Sequence, residues 1–233
     1  MERPAIAKIF PGLLRGLAGG FVGAILGHLF VTWSLRAGGE FWLKGPYGPG
    51  QFFGIAAYLG LLYGCIGLAL AGRAVPGLLG LLGNFLGIAL PMVVLTHHPL
   101  PMRAFMSLLA HFPAFTTGLM RSLGGLDLVG LAWTLAVIAI YVMANWGTTL
   151  ALGALLCPRR RWLGAGAAVL GSFAGYLVLK AFLAVVPSYA QGRWDPRSFV
   201  PSPLDLLTGL LIGAGIGAGV FLARSLGRQA SQT

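Results

Sequence analysis

The stretch 204-LDLLTGLLIGAGIGAGVFLA-223 contains a single charge, Asp205, at its start. It has the roughly 20 mostly apolar residues that a helix needs to cross a bilayer. Gly209, Gly213 and Gly217 recur every four residues. That spacing puts them on one helix face, where a missing side chain lets a second backbone approach closely. Glycine at this density weakens a helix in water, whereas in lipid no solvent competes for the backbone hydrogen bonds. The stretch predicts a membrane span.

Working outward, five further stretches meet the same requirement: residues 13–35, 51–72, 77–96, 127–156 and 163–186. Across 233 residues the chain is 57% hydrophobic and 9% charged, against about a quarter charged in an ordinary soluble domain. The expected fold is an all-α polytopic membrane protein with six transmembrane helices in one domain, ending in a polar tail over 225–233. Two cysteines are too few for a disulfide scaffold or a four-cysteine zinc site. Cys65 falls inside the second span and Cys157 at the end of the fourth, so both read as small apolar residues. The first apolar stretch is longer than a signal-peptide core and no small-x-small cleavage site follows it, so it is kept as a helix.

Orientation follows from the basic residues. One set of flanks holds Arg3, Lys8, Arg15, Arg73, Arg159, Arg160, Arg161, Arg224 and Arg228 with Glu2 as its acid. The other holds Arg36, Lys44, Arg103, Arg121, Lys180, Arg193 and Arg197, together with Glu40, Asp127, Asp195 and Asp205. The positive-inside rule then predicts an inner-membrane protein with both termini cytoplasmic. A net charge of +11 reads as topology and contact with anionic lipid, and no soluble basic domain is present to bind nucleic acid.

The odd-numbered spans share a motif. Gly19-Gly20-Phe21-Val22-Gly23, Gly83-Asn84-Phe85-Leu86-Gly87 and Gly171-Ser172-Phe173-Ala174-Gly175 all read G-x-F-x-G. Pro11-Gly12-Leu13-Leu14 also matches Pro76-Gly77-Leu78-Leu79, and Leu126-Asp127-Leu128 matches Leu204-Asp205-Leu206. These echoes predict three parallel helical hairpins, residues 1–73, 74–159 and 160–224, about a pseudo-threefold axis along the membrane normal. Repeat interfaces are a recurrent place for transporter sites. Four-residue spacing of Gly19, Gly23 and Gly27, like that of Gly209, Gly213 and Gly217, predicts tight helix packing, within the chain or against a partner subunit or second copy.

Ionisable residues deep in a membrane are candidates for function, and here they are scarce. His28 and Lys180 each follow their motif by the same interval, with Met92 at the equivalent place in the third span. An outward-facing cavity lined by His28 and Lys180, with Met92 beside them, would suit an anionic or carbonyl-bearing solute. Asp127 and Asp205 sit at helix starts, where a carboxylate caps free N–H groups. His97, His98 and His111 fall at the outer surface with no carboxylate support, so neither a metal site nor a cofactor is expected.

Residues 101–112 read as an interfacial helix with an apolar stripe of Met102, Phe105, Met106 and Leu109, stopped by Pro113. Outer loops around Glu40 to Gly50 and Tyr189 to Asp195 mix aromatic and charged residues, as expected of a lid or an interfacial belt. No P-loop, H-E-x-x-H or G-x-S-x-G is present, so no enzyme is expected. Two functions fit: a small-solute binding or transport component with a site between hairpins, or a non-catalytic subunit docked on larger membrane partners. The first requires a polar cavity reaching His28 and Lys180; the second requires a filled interior and glycine stripes turned outward.

Overall fold

A computed structural model describes residues 5–38, 49–125, 127–186 and 198–229. Among the described residues every regular element is helical: α1 (Ala5–Gly38), α2 (Pro49–Ala71), α3 (Ala74–His97), α4 (Pro99–Ala110), α5 (Pro113–Ser122), α6 (Leu128–Leu156), α7 (Arg161–Val185) and α8 (Pro203–Gln229). A 3-10 turn, Pro158–Arg160, joins α6 to α7. Six of these, α1, α2, α3, α6, α7 and α8, are long and apolar enough to span a bilayer. The protein is a multi-pass membrane protein in contact with lipid. Pro11 and Pro91 lie inside α1 and α3, a placement that lipid-embedded helices tolerate better than soluble ones.

The interfacial helix α4 ends at Ala110, ahead of Pro113 as expected, and Pro113 also opens α5, as Pro99 opens α4. The physical reason is that the first turn of a helix leaves its N–H groups unpaired anyway, so a ring nitrogen costs nothing there. Met102, Phe105, Met106 and Leu109 of α4 pack on Leu131 and Ala132 at the head of α6.

Neighbours in the bundle run α1, α2, α3, α6, α7, α8 and back to α1, a closed ring. The even-numbered spans α2, α6 and α8 also touch one another across its interior. Glycine permits the close seams. On α1, a methyl built on Gly19 or Gly23 would stand 2.8 or 2.7 Å from the Ile66 or Leu62 Cα of α2. Gly27 meets the Tyr58 ring of α2 in the same way. The opposite face of α1 lies on α8, where Gly12, Gly16 and Gly20 oppose Gly217, Gly213 and Gly209, backbone on backbone.

The other two motifs behave like the first. Gly83 and Gly87 of α3 lie against Thr148 and Ala144 of α6, while Gly171 and Gly175 of α7 lie against Gly215 and Leu211 of α8. Each G-x-F-x-G therefore packs on the spanning helix that follows it. The glycine stripes read from the sequence are turned to neighbouring helices of the same chain, not to lipid.

The ring interior is filled toward the end that carries Arg73, Arg159 and Arg224. Leu62, Ile66, Leu70, Leu152, Ile216 and Val220 form one buried cluster there, each at most 1% exposed. A second cluster joins Ala56 of α2, Ile88, Ala89 and Met92 of α3, and Ala144 of α6 nearer the other end.

Candidate functional site

His28 projects from the C-terminal half of α1 and is 1% exposed. Its Nε2 lies 2.7 Å from the Ser198 carbonyl oxygen. A carbonyl only accepts, so Nε2 carries the proton and donates. Nδ1 has no hydrogen-bond partner and faces the Asp205 carboxylate, with Oδ2 at 3.5 Å. One turn further along α1, the Thr32 hydroxyl donates to the same Ser198 carbonyl at 3.2 Å. Another turn on, the Arg36 guanidinium stacks over the Phe199 ring, 4.1 Å from its centroid. Residues 28, 32 and 36 share one face by their spacing of four, and together they grip the chain just before α8.

Asp205 was expected as a helix cap, and the structure corrects this. Ser202 takes that role: its Oγ accepts from the Asp205 backbone N–H at 3.1 Å and donates to Asp205 Oδ2 at 2.8 Å. Ser202 is thus the N-cap, and its hydroxyl, rather than its backbone N–H, is what the Asp205 carboxylate holds. The carboxylate is thereby held toward α1, 19% exposed, with Tyr58 of α2 within its electrostatic reach. Asp127 does cap its helix, accepting from Gly130 N–H at 2.6 Å.

Lys180 and Met92 do not join His28. Lys180 is exposed on α7 with its ammonium 5.4 Å from the Tyr176 ring centroid, whereas its neighbour Leu179 is the buried residue. One residue is 100° of helix rotation, enough to turn a side chain from interior to exterior. Met92 is buried in the apolar cluster between α2, α3 and α6. A cavity lined by His28 and Lys180 is therefore not formed, and the preference for anionic solutes that rested on two cationic groups loses its basis. His28 is matched by a carboxylate instead.

Halfway down the ring lies a polar layer that sequence reasoning missed. The Tyr63 hydroxyl of α2 reaches Thr149 of α6 and Ser172 of α7, bridging the interior. Asn84 of α3 is 0% exposed, and neither its amide nitrogen nor its oxygen has a partner; Tyr141 Oη and Asn145 Oδ1 of α6 are likewise buried and unpaired. Asn84 and Ser172 occupy a variable position in two of the glycine motifs, where the motif itself assigns them no role. The four-residue spacing of Tyr141, Asn145 and Thr149 was the available signal.

Two of the remaining histidines bond to carbonyls one turn earlier in the chain. His97 Nδ1 lies 3.0 Å from the Val93 carbonyl and His111 Nδ1 2.7 Å from that of Ser107, and His97, His98 and His111 are all exposed. Among the described residues no three His, Cys, Asp or Glu side chains gather as metal ligands. Cys157, between two spans, is buried with its thiol directed to the Val220 carbonyl at 3.6 Å. Burial pushes that thiol above its ordinary range, and the Arg224 guanidinium beside it offsets part of the rise. The lid residues Glu40 to Gly48 and Tyr189 to Asp195 lie outside the described residues.

No protein-family model, curated protein or solved structure matches the chain.

Proposed function

We propose that the protein is a non-catalytic inner-membrane component, both termini cytoplasmic, that binds a small solute at an outward-facing site where α1, α2 and α8 meet. The buried pairing of His28 with Asp205 carries this reading. Ionisable groups in a bilayer are costly, and one whose Nδ1 is left unbonded beside a partly exposed carboxylate is available to a further hydrogen-bonding partner. A site of one imidazole, one carboxylate and the Thr32 and Ser202 hydroxyls suits an uncharged solute with both donors and acceptors, or a cation. Transport past the aliphatic plug would need the ring to rearrange or a partner to act on it.

The three-hairpin plan belongs to the same proposal. It is supported by the ring order, by the mutual contact of α2, α6 and α8, and by the packing of each motif on its own following helix. The equivalent seams differ in their residues: within the third hairpin Gly171 of α7 faces Gly215 of α8, whereas within the second Gly83 and Gly87 of α3 face Thr148 and Ala144 of α6.

Accessibility tests the reading. With Cys65 and Cys157 replaced by alanine, Ser202→Cys and Phe199→Cys, the latter at a position 44% exposed, should react with a membrane-impermeant maleimide added outside intact cells. Protection of both positions would overturn the outward-facing site. A specific observation favours a second reading: the filled inner half of the ring fits a structural subunit of a larger membrane complex. In that case the two cysteines would be protected, and the protein would migrate with a partner when extracted in mild detergent.

A further inference from the structure

On the outer wall of the ring, α7 and α8 enclose a groove of about 560 Å³. Its floor is made of residues with little or no side chain, among them Gly166, Gly171, Gly215 and Gly219. A methyl built on Gly166 would meet nothing within 4 Å, so the space there is open. Leucines 170, 222 and 226 form the walls, and every lining residue is apolar. Along α7 the groove runs from Trp162 to Ala174. At 1.5 Å per residue that is about 18 Å, close to half of a hydrocarbon core roughly 30 Å thick. The groove thus has the depth of one leaflet.

Its mouth is at the membrane surface. Trp162 is 91% exposed there, as aromatic residues at the headgroup level are. Arg159, Arg160 and Arg161 immediately precede it, all three exposed and none ion-paired among the described residues. An apolar slot one leaflet deep, with three exposed arginines in the chain immediately before its first α7 residue, matches one molecule in particular: an acyl chain for the slot and an anionic phosphate headgroup for the arginines.

We propose that this groove is a binding site for an anionic phospholipid of the leaflet on the arginine side. The test uses the full chain in dodecyl maltoside, with phosphatidylglycerol and phosphatidylcholine of identical acyl chains as probes, read by native mass spectrometry. Phosphatidylglycerol should be retained at least about fivefold more than phosphatidylcholine. Replacing Arg159, Arg160 and Arg161 together by glutamine should bring that ratio close to one. Gly166→Leu, which fills open space and should melt at the wild-type temperature, should lower retention of both lipids. Inorganic phosphate should not displace the bound lipid, which separates a headgroup from a free-anion site. Equal retention of the two lipids by the wild type, or a ratio unchanged by the arginine replacements, would overturn the proposal. A dimer in the native spectrum abolished by Gly166→Leu would also overturn it, giving the groove to a second copy.

Discussion

The Nδ1 of His28 stands 3.5 Å from Asp205 Oδ2, while Nε2 of the same ring is committed to the Ser198 carbonyl at 2.7 Å. Two helices from opposite ends of the chain are joined by this ring. His28→Ala removes the donor and leaves a buried carbonyl with only the Thr32 hydroxyl. It should cost about 1–3 kcal/mol, the usual cost of an orphaned buried group, seen as a lower melting temperature in detergent. His28→Gln can still donate to Ser198 and should recover part of the loss. An unchanged melting temperature in His28→Ala would show that the ring does not secure α8.

Along the seam between α1 and α8, glycine is required by space. A methyl on Gly16 would land on the Gly213 carbonyl, and one on Gly20 on the Gly209 carbonyl. Gly16→Ala and Gly20→Ala should each destabilise by roughly 1–3 kcal/mol, as over-packing does. Gly118→Ala, which meets open space on α5, should not. Steric-trap unfolding in bicelles would measure all three, and equal effects would remove the close-packing argument.

Asn84 gives a prediction of the opposite sign. Its amide is fully buried with no partner in the protein, so Asn84→Leu exchanges an unpaired polar group for an apolar one of similar size. The variant should be more stable by about 1 kcal/mol or more, from relief of the desolvation cost. A fall in melting temperature would instead reveal that Asn84 has a partner in the membrane. Tyr63→Phe, which severs a bond across the ring, should lose about 1 kcal/mol.

The Cys157 thiol, raised by burial, should label slowly at neutral pH, because little thiolate is present. In a Cys65→Ala background, its maleimide rate should keep climbing above about pH 9. An exposed cysteine introduced at Gly118 should level off near its ordinary pKa of about 8.5. Rates that level off together would contradict a raised thiol.

Much of the fold was legible because lipid imposes one-dimensional rules. Span length, charge bias and four-residue glycine spacing are each properties of a local segment, and the six spans, the inward glycine faces of α1 and α8 and the apolar stripe of α4 follow from them. Pro113 was legible as the end of one helix but not as the start of α5, because proline stands equally well just after a helix and in the first turn of the next. Of the candidate site, His28 was found from its scarcity. Its partners were not, because Thr32, Arg36 and Ser202 are ordinary in composition and acquire a role only beside Ser198, Phe199 and Asp205.

By itself, then, the amino-acid sequence determined that this chain lives in a membrane, how many times its helices can cross it, and which residues are too costly to be there idly. Tertiary structure alone decided which of those residues meet. It turned Lys180 outward by a single residue of helix phase, buried Met92 among aliphatic side chains, and set a carboxylate from the last helix against a histidine from the first. Depth in a bilayer is written in sequence position, whereas the direction a side chain faces around the ring depends on how neighbouring helices rotate to close their glycine seams.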